Sequence, residues 1–222
     1  MAEKRPTTSS TAFLTFDAFF KQFPFKVFKK RTPIINADTL TNDIFYIKKG
    51  YARAYGVSPS GQELTMVIFQ PGDFFPLIST IRPQKIDYYI ESLTEIEVIA
   101  VPRNQFIVFL QGRPDLTQDL TMRITERFEG ALKRMEYLVF GTAAQRLISI
   151  ILILGERFGL VTQGNIFVNA PLTHRDLASL VGITRETTTL ILRDLVKKSY
   201  IEFRNRHIVI KNLRALKREV DR

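Results

Sequence analysis

Four consecutive residues, Thr184-Arg185-Glu186-Thr187, carry the most specific chemistry in this sequence. A guanidinium is a planar double donor that matches O6 and N7 of guanine, and a carboxylate accepts a hydrogen bond from N4 of cytosine. A carboxylate turned toward a duplex is otherwise repelled by phosphate. Glu186 beside Arg185 therefore points to reading of base edges rather than simple adhesion to the backbone. At helical spacing Thr189 and Leu190 fall on the same outward face, so the base-reading set is Arg185, Glu186, Thr189 and Leu190. The competing reading makes Arg185 and Glu186 solvated charges at a helix start, on a domain that binds protein.

Such a helix needs a partner that fixes its angle, and the preceding residues supply one. Thr173 is a good N-cap, and Asp176 three residues later can close a capping box on it. Leu177, Ala178 and Val181 form an inward face, and Ala178 is small where two helices cross closely. Gly182 ends the first helix and turns the chain, Ile183 plugs the turn, and Thr184 caps the second helix. Thr188, Ile191 and Leu195 are expected to face the first helix. This is the pattern of a tight helix-turn-helix. Thr173, Thr184, Thr187, Arg193 and Lys197 then fall where phosphates lie and fix register. Next come two alternating segments, Tyr200–Phe203 and His207–Ile210, joined by Arg204-Asn205-Arg206, which read as a β-hairpin wing. Arg204 and Arg206 at its tip either touch the backbone or minor groove, or are ordinary exposed hairpin charges.

The charge distribution agrees with an anionic partner. The chain has 222 residues and a net charge of +10. Residues 140–222 hold 14 Lys and Arg against 7 Asp and Glu, whereas residues 1–139 hold 18 against 15. A basic C-terminal third is the footprint that a phosphate backbone demands. There is no cysteine, which removes disulfides, thiolate metal sites and a cysteine nucleophile and fits a reducing cytoplasm. The first residues, Met1-Ala2-Glu3-Lys4-Arg5-Pro6, have no apolar signal-peptide stretch and read as a flexible lead-in over residues 1–18. The apolar run Leu147–Leu154 is too short to span a bilayer, so no membrane association is expected.

Between about Val27 and Pro102, short apolar runs are broken by turn residues at Lys48-Lys49-Gly50, Ser58-Pro59-Ser60-Gly61 and Pro71-Gly72-Asp73. That spacing predicts an antiparallel sandwich or barrel over residues 19–112. From Pro114 to about Val139 apolar residues instead recur at steps of three or four, through Leu116, Leu120, Ile124, Phe128, Ala131, Met135 and Leu138. One stripe on a helix of about 25 residues, close to about 38 Å long, exceeds what a small domain needs. Residues 113–140 are therefore expected to form a dimerisation helix, with Leu116, Leu120, Ile124, Phe128 and Met135 on its seam. The alternative is a helix lying across its own barrel. A break near Phe140-Gly141-Thr142 leads into the C-terminal domain, residues 141–222, whose first helix runs from Ala143 to Phe158. The fold class is α+β: an N-terminal antiparallel sandwich or barrel, a long helix and a C-terminal winged helix-turn-helix.

The plan resembles the family of the cyclic-AMP receptor protein and the fumarate–nitrate reduction regulators (CRP/FNR), over about residues 20–215. The most specific match is the run from Leu177 to Thr187; Tyr46-Ile47-Lys48-Lys49-Gly50 and Pro71-Gly72-Asp73-Phe74 support it. The resemblance implies a cytoplasmic homodimer with an N-terminal jelly-roll β-barrel sensor domain, a long dimerisation helix and winged helix-turn-helix heads that bind double-stranded DNA at a palindromic site and contact RNA polymerase. Departures from the family pattern are as informative. Nucleotide-binding members have a Gly-Glu pair where this chain has Pro76-Leu77, and an Arg-Ser or Arg-Thr pair where it has Ile86-Asp87. A buried carboxylate beside a phosphate would cost several kcal/mol, so cyclic-nucleotide control in the usual way is not expected. The absent cysteines exclude iron–sulfur sensing, and both histidines, His174 and His207, lie outside the barrel. No cofactor is expected. Aromatic residues including Phe74, Phe75, Tyr88 and Tyr89 either line a pocket for an unidentified small-molecule effector or simply fill the core. An enzyme is not expected: the barrel lacks histidine, and Glu91, Glu95 and Glu97 are spaced along a strand, facing solvent. Relatives often carry Arg five positions after the residue matched by Arg185; here that position is Leu190, which offers only apolar contact.

Overall fold

The computed structural model describes residues 10–82 and 84–220. The chain divides into two compact units, one built from residues up to Gly56 together with Met66–Phe128, the other from Val57–Thr65 and residues from Glu129 onward.

The first unit begins with helix α1 (Ser10–Phe20), followed by strands β1 (Phe25–Phe28), β2 (Pro33–Ile35), β3 (Asp43–Lys49), β4 (Ala52–Val57), β5 (Glu63–Phe69) and β6 (Phe74–Phe75). A short helix α2 (Leu77–Ile81), strands β7 (Tyr89–Ser92) and β8 (Ile96–Pro102), and helices α3 (Arg103–Leu110) and α4 (Pro114–Phe140) complete the order. The strands form two antiparallel sheets of order β1-β8-β3-β6 and β2-β7-β4-β5. The expected barrel is therefore a pair of four-stranded sheets, each with edge strands, rather than a closed cylinder. Its strands alternate faces with a period of two. Ile44, Tyr46, Phe74, Ile99 and Val101 point away from the second sheet into a core shared with α1, α3 and α4. Ile47, Phe75 and Val98 instead point toward Ala52, Ala54, Phe69 and Ile90 of the second sheet. Burial on both faces explains the unbroken apolar run Ile44-Phe45-Tyr46-Ile47.

Two expectations for this unit are corrected. Residues 10–18 are not a flexible lead-in: Ala12, Phe16 and Phe20, four apart on α1, are buried, and Phe20 stacks on Tyr46 with ring centroids 4.5 Å apart. Residues 1–9 lie outside the described residues. The second correction concerns the stripe on α4. Leu116 and Leu120 are buried in the unit's own core, with Ile124 packed beside them, and not on a helix–helix seam. The turn after β5 holds this end of the helix: Arg127 Nη2 donates to Asp73 Oδ1 at 2.8 Å, and Asp73 Oδ2 accepts from Gln70 N at 2.9 Å. A different face of α4 is left uncovered, with Phe128 62%, Leu132 46%, Met135 56% and Val139 62% exposed.

The second unit contains α5 (Ala143–Phe158), β9 (Gly159–Thr162), β10 (Asn165–Val168), α6 (His174–Val181), α7 (Arg185–Lys197), β11 (Ile201–Arg204), β12 (His207–Ile210) and α8 (Leu213–Val220). Its single sheet has the order β11-β12-β10-β9. The break before α5 falls where expected, at Gly141-Thr142. A Cβ on Gly141 would come within 2.6 Å of the Tyr137 carbonyl, so only glycine fits, and Thr142 and Gln145 form a capping box on α5. The boundary between the units, however, falls earlier than residue 141, because Arg134 holds the last turns of α4 to the second unit. Its Nη2 donates to the Thr65 carbonyl at 2.5 Å and to the Leu180 carbonyl. The Ser179 hydroxyl, also buried, meets Thr65 Oγ1 at 2.8 Å. Among the described residues no helix is long and apolar enough to cross a membrane.

Candidate nucleic-acid interface

Helix α6 starts where the sequence requires. Thr173 accepts from Asp176 N at 3.2 Å, while Asp176 Oδ2 accepts from Thr173 N at 2.8 Å and from its hydroxyl at 2.7 Å. These reciprocal bonds satisfy donors that the first turn of any helix leaves open. Asp176 is buried, so its carboxylate is committed to this cap. The helix ends at Gly182 with φ 67°, the left-handed conformation that a side chain disfavours, and the Ile183 N–H returns to the Ala178 carbonyl at 3.2 Å. Thr184 then caps α7 by accepting from Thr187 N at 3.1 Å.

Two capped helices and one tight turn fix the face that α7 presents. Thr188, Leu192 and Leu195 are buried, an i, i+4, i+7 stripe against the rest of the unit, and the Thr188 hydroxyl is satisfied by the Thr184 carbonyl at 2.9 Å. Ile191, expected in that stripe, is only half-buried, and Leu192 takes the inner position instead. The pitch of 3.6 residues places i+4 from Thr188 closer to the partner helix than i+3.

The opposite face carries Arg185, Glu186, Leu190 and Arg193, all exposed, with Leu190 65% accessible. An apolar side chain held that far out of the core, between charged neighbours, is available for contact with a ligand's apolar group. Thr189 differs from the expectation. It is half-buried, its hydroxyl donates to the Arg185 carbonyl at 2.9 Å, and its oxygen also meets His174 Nδ1 at 2.9 Å. It is therefore placed to orient the helix edge rather than to project from it. His174 is the first residue of α6 and was not among the sequence candidates. Its position directly after the Thr173 cap was legible, but its partner fifteen residues on was not.

Lys197 is exposed at the C-terminal end of α7, whereas Lys198 is drawn to Asp194 at 2.8 Å and Glu219 at 3.7 Å. The wing tip divides its two arginines. Arg204 lies along Glu202, Nε to Oε1 at 2.7 Å and Nη2 to Oε2 at 3.1 Å, and Lys211 also reaches Glu202 at 3.1 Å. These two cations hold the Glu202 carboxyl down at about 2. Arg204 is thus partly neutralised, and Asn205 and Arg206, both with positive φ, form the tip itself.

The effector residues proposed for the first unit do not line one pocket. Phe74 packs with Phe16, Phe20 and Phe106, on the side of the helices, while Phe75 packs with Phe45 and Phe69 between the sheets. Adjacent residues on a strand point to opposite faces, so these two could not share a cavity. Tyr88 is packed against the inner core, and Tyr89 stacks on Tyr55 with centroids 5.3 Å apart. Ile86 is buried in that core, but Asp87 is exposed, so the carboxylate expected to be buried beside a phosphate site is not. An open cavity of about 870 Å³ lies elsewhere in the unit, between α1 and α3, lined among others by Phe19, Phe23, Val108, Phe109 and Arg113. Glu91, expected to face solvent, is buried between Arg31 Nη1 and Arg53 Nε, each 2.7 Å from its Oε1.

The architecture defines a class before it defines a family: a two-sheet sensor-type domain followed by a winged helix-turn-helix is the build of a DNA-binding transcription regulator. Residues 25–113 match the cyclic nucleotide-binding domain family and residues 145–219 the Crp-like helix-turn-helix domain. The global nitrogen regulator of Synechocystis sp. is 26% identical over 178 residues, 79% of each chain. The CRP-like cAMP-activated global transcriptional regulator of Mycobacterium tuberculosis is 25% identical over 175 residues, 79% of this chain and 78% of that one. In fold, the chain is similar to FixK2 from Bradyrhizobium japonicum, with a TM-score of 0.76 over 88% of this chain and 96% of that one at 22% identity. The chain belongs to the CRP/FNR family of transcription regulators.

Proposed function

We propose that the chain acts as a homodimer on an inverted-repeat DNA site, with α7 of each protomer in the major groove. The observation that carries this reading is the exposed set Arg185, Glu186 and Leu190 on a helix whose other face is fixed by Thr188, Leu192 and Leu195. Arg185 and Glu186 read base edges, and Leu190 meets an apolar group such as a thymine methyl. Thr184, Thr187, Arg193, Lys197 and Arg206 hold phosphates, whereas Thr173, expected among them, gives both its amide and its hydroxyl proton to Asp176 and has none left for a phosphate. Arg204 contributes less than Arg206 because Glu202 already pairs with it. The uncovered stripe of Phe128, Leu132, Met135 and Val139 on α4 supports the dimer, since a contiguous apolar face of that length is costly in water. RNA polymerase is a further partner, by analogy with the family.

The sensor domain is read as not controlled by cyclic AMP. Ile86 occupies core space at the position where nucleotide-binding relatives place the arginine of their Arg-Ser or Arg-Thr pair, and Phe45, Phe69 and Phe75 fill the region between the sheets. An effector, if one acts, is of another class. The chain is a binding protein in this reading rather than an enzyme, and it works in the cytoplasm. The experiment is a salt series on duplex binding. A dimer that neutralises about six to ten phosphates loses about a thousandfold or more in affinity between about 50 and about 200 mM salt. Affinity for every duplex that is weak and insensitive to salt would contradict the reading.

A further inference from the structure

We propose that His174 is a proton-linked contact to the DNA backbone, taking up a proton on Nε2 as the duplex binds. The inference rests on the reading of α7 as the groove-reading helix. In a helix-turn-helix the first helix crosses the phosphate backbone while the second enters the groove. His174 sits where those two jobs meet: it opens α6, and its Nδ1 lies 2.9 Å from the hydroxyl of Thr189 on α7.

The hydrogen bonds around that hydroxyl fix the tautomer. The Thr189 hydroxyl has one proton, and it goes to the Arg185 carbonyl at 2.9 Å. Only a lone pair remains for the imidazole, so His174 Nδ1 must carry a hydrogen. In the neutral ring the other nitrogen, Nε2, is then an acceptor with no proton to give. A phosphate offers only acceptor oxygens, so neutral His174 cannot bond to one through Nε2. Adding a proton from solvent turns Nε2 into a charged donor, the form that binds phosphate strongly.

The surroundings disfavour that proton in the free chain. From α7, the charges of Arg185 and Arg193 act on the ring; from β11 an aromatic ring, Phe203, meets it edge-on at 5.3 Å. On α6 itself, Asp176 is committed to the Thr173 cap and Arg175 is exposed. Burial first, then Arg185 and Arg193, push the His174 imidazolium below its ordinary range. A phosphate beside Nε2 acts in the opposite sense and raises it. Because the bound form holds the proton more tightly than the free form, affinity is highest below the free-state value. It falls as pH rises through the interval up to the bound-state value, and levels off above it.

The test compares wild type, His174→Gln and His207→Gln chains on one duplex from about pH 5.5 to about pH 8. His207 is the only other histidine; its Nδ1 meets the Val168 carbonyl at 3.0 Å, and its ring stacks on Phe167. Wild type and His207→Gln are expected to lose about tenfold in affinity across the range, and His174→Gln to be flat. The imidazole resonances, assigned by their loss in each variant, should show His174 titrating at higher pH with the duplex bound than without it. A wild-type profile without slope, a His174→Gln profile with the wild-type slope, or an unmoved His174 titration would each overturn the proposal while leaving DNA binding intact. Absence of binding to any duplex would overturn the DNA reading as well.

Discussion

Arg185→Ala is expected to fold normally and to stay dimeric, yet to bind the preferred duplex about 5- to 150-fold more weakly for each half-site. That range corresponds to about 1–3 kcal/mol for one bidentate contact to guanine. The side chain is exposed and makes no contribution to the core, so stability should change by less than about 0.5 kcal/mol. The loss should be selective. Discrimination at one base of each half-site relaxes, while affinity for unrelated duplexes falls much less. Lys197→Ala is the useful contrast: removing a phosphate-binding cation weakens all sequences alike and reduces the salt slope by about one. Quantitative binding to matched and mismatched duplexes separates the two patterns. Equal losses on matched and unrelated duplexes for Arg185→Ala would mean that its guanidinium touches only the backbone.

The second large effect concerns α4. A Leu132→Glu, Met135→Glu double variant should be monomeric at concentrations where wild type is dimeric, because both side chains are exposed on the uncovered stripe and neither supports the protomer's own core. Affinity for an inverted repeat should then fall by about 10²- to 10⁴-fold, the advantage of binding two linked half-sites together. Leu120→Ala marks the other face of the same helix. It should leave assembly intact but destabilise the first unit by about 2–5 kcal/mol, since Leu120 is packed among Phe16, Phe74 and Phe106. Sedimentation and thermal unfolding of the two variants distinguish these faces. A dimeric double variant would move the interface away from Leu132 and Met135.

The helix-turn-helix was legible because its signals are local. Thr173 and Asp176 are three residues apart, Gly182 marks one turn, and Thr184 caps the next helix; each acts through bonds to near neighbours in sequence. The wing was legible for the same reason. The sensor domain was legible only as a class. Phe74 and Phe75 are neighbours in sequence but belong to different cores, and no local rule says which side of β6 faces the helices. On α4 the helical period is plain in the sequence, but the one expected stripe divides into an apolar face turned to the unit's own core and another turned to solvent. The burial of Glu91 is not legible from its neighbours, because its arginines lie 60 and 38 residues away. The early helix α1 is hard to see in the sequence, although Ala12, Phe16 and Phe20 keep helical spacing. Seven of the eleven residues of α1 are apolar and they fall on every side of the helix, so the helical period is masked. His174 shows the same limit at the interface, since its role depends on Thr189, a residue of the next helix.

Sequence-specific recognition by α7 is tested most directly by selecting bound duplexes from a random pool with the full chain at moderate salt. The expected product is an inverted repeat whose half-sites are centred about one helical turn apart. Each half-site should carry a guanine facing Arg185, and a thymine-biased or unselective step facing Leu190. A pool that emerges no more ordered than it began, or a single asymmetric site bound by one protomer, would contradict the account.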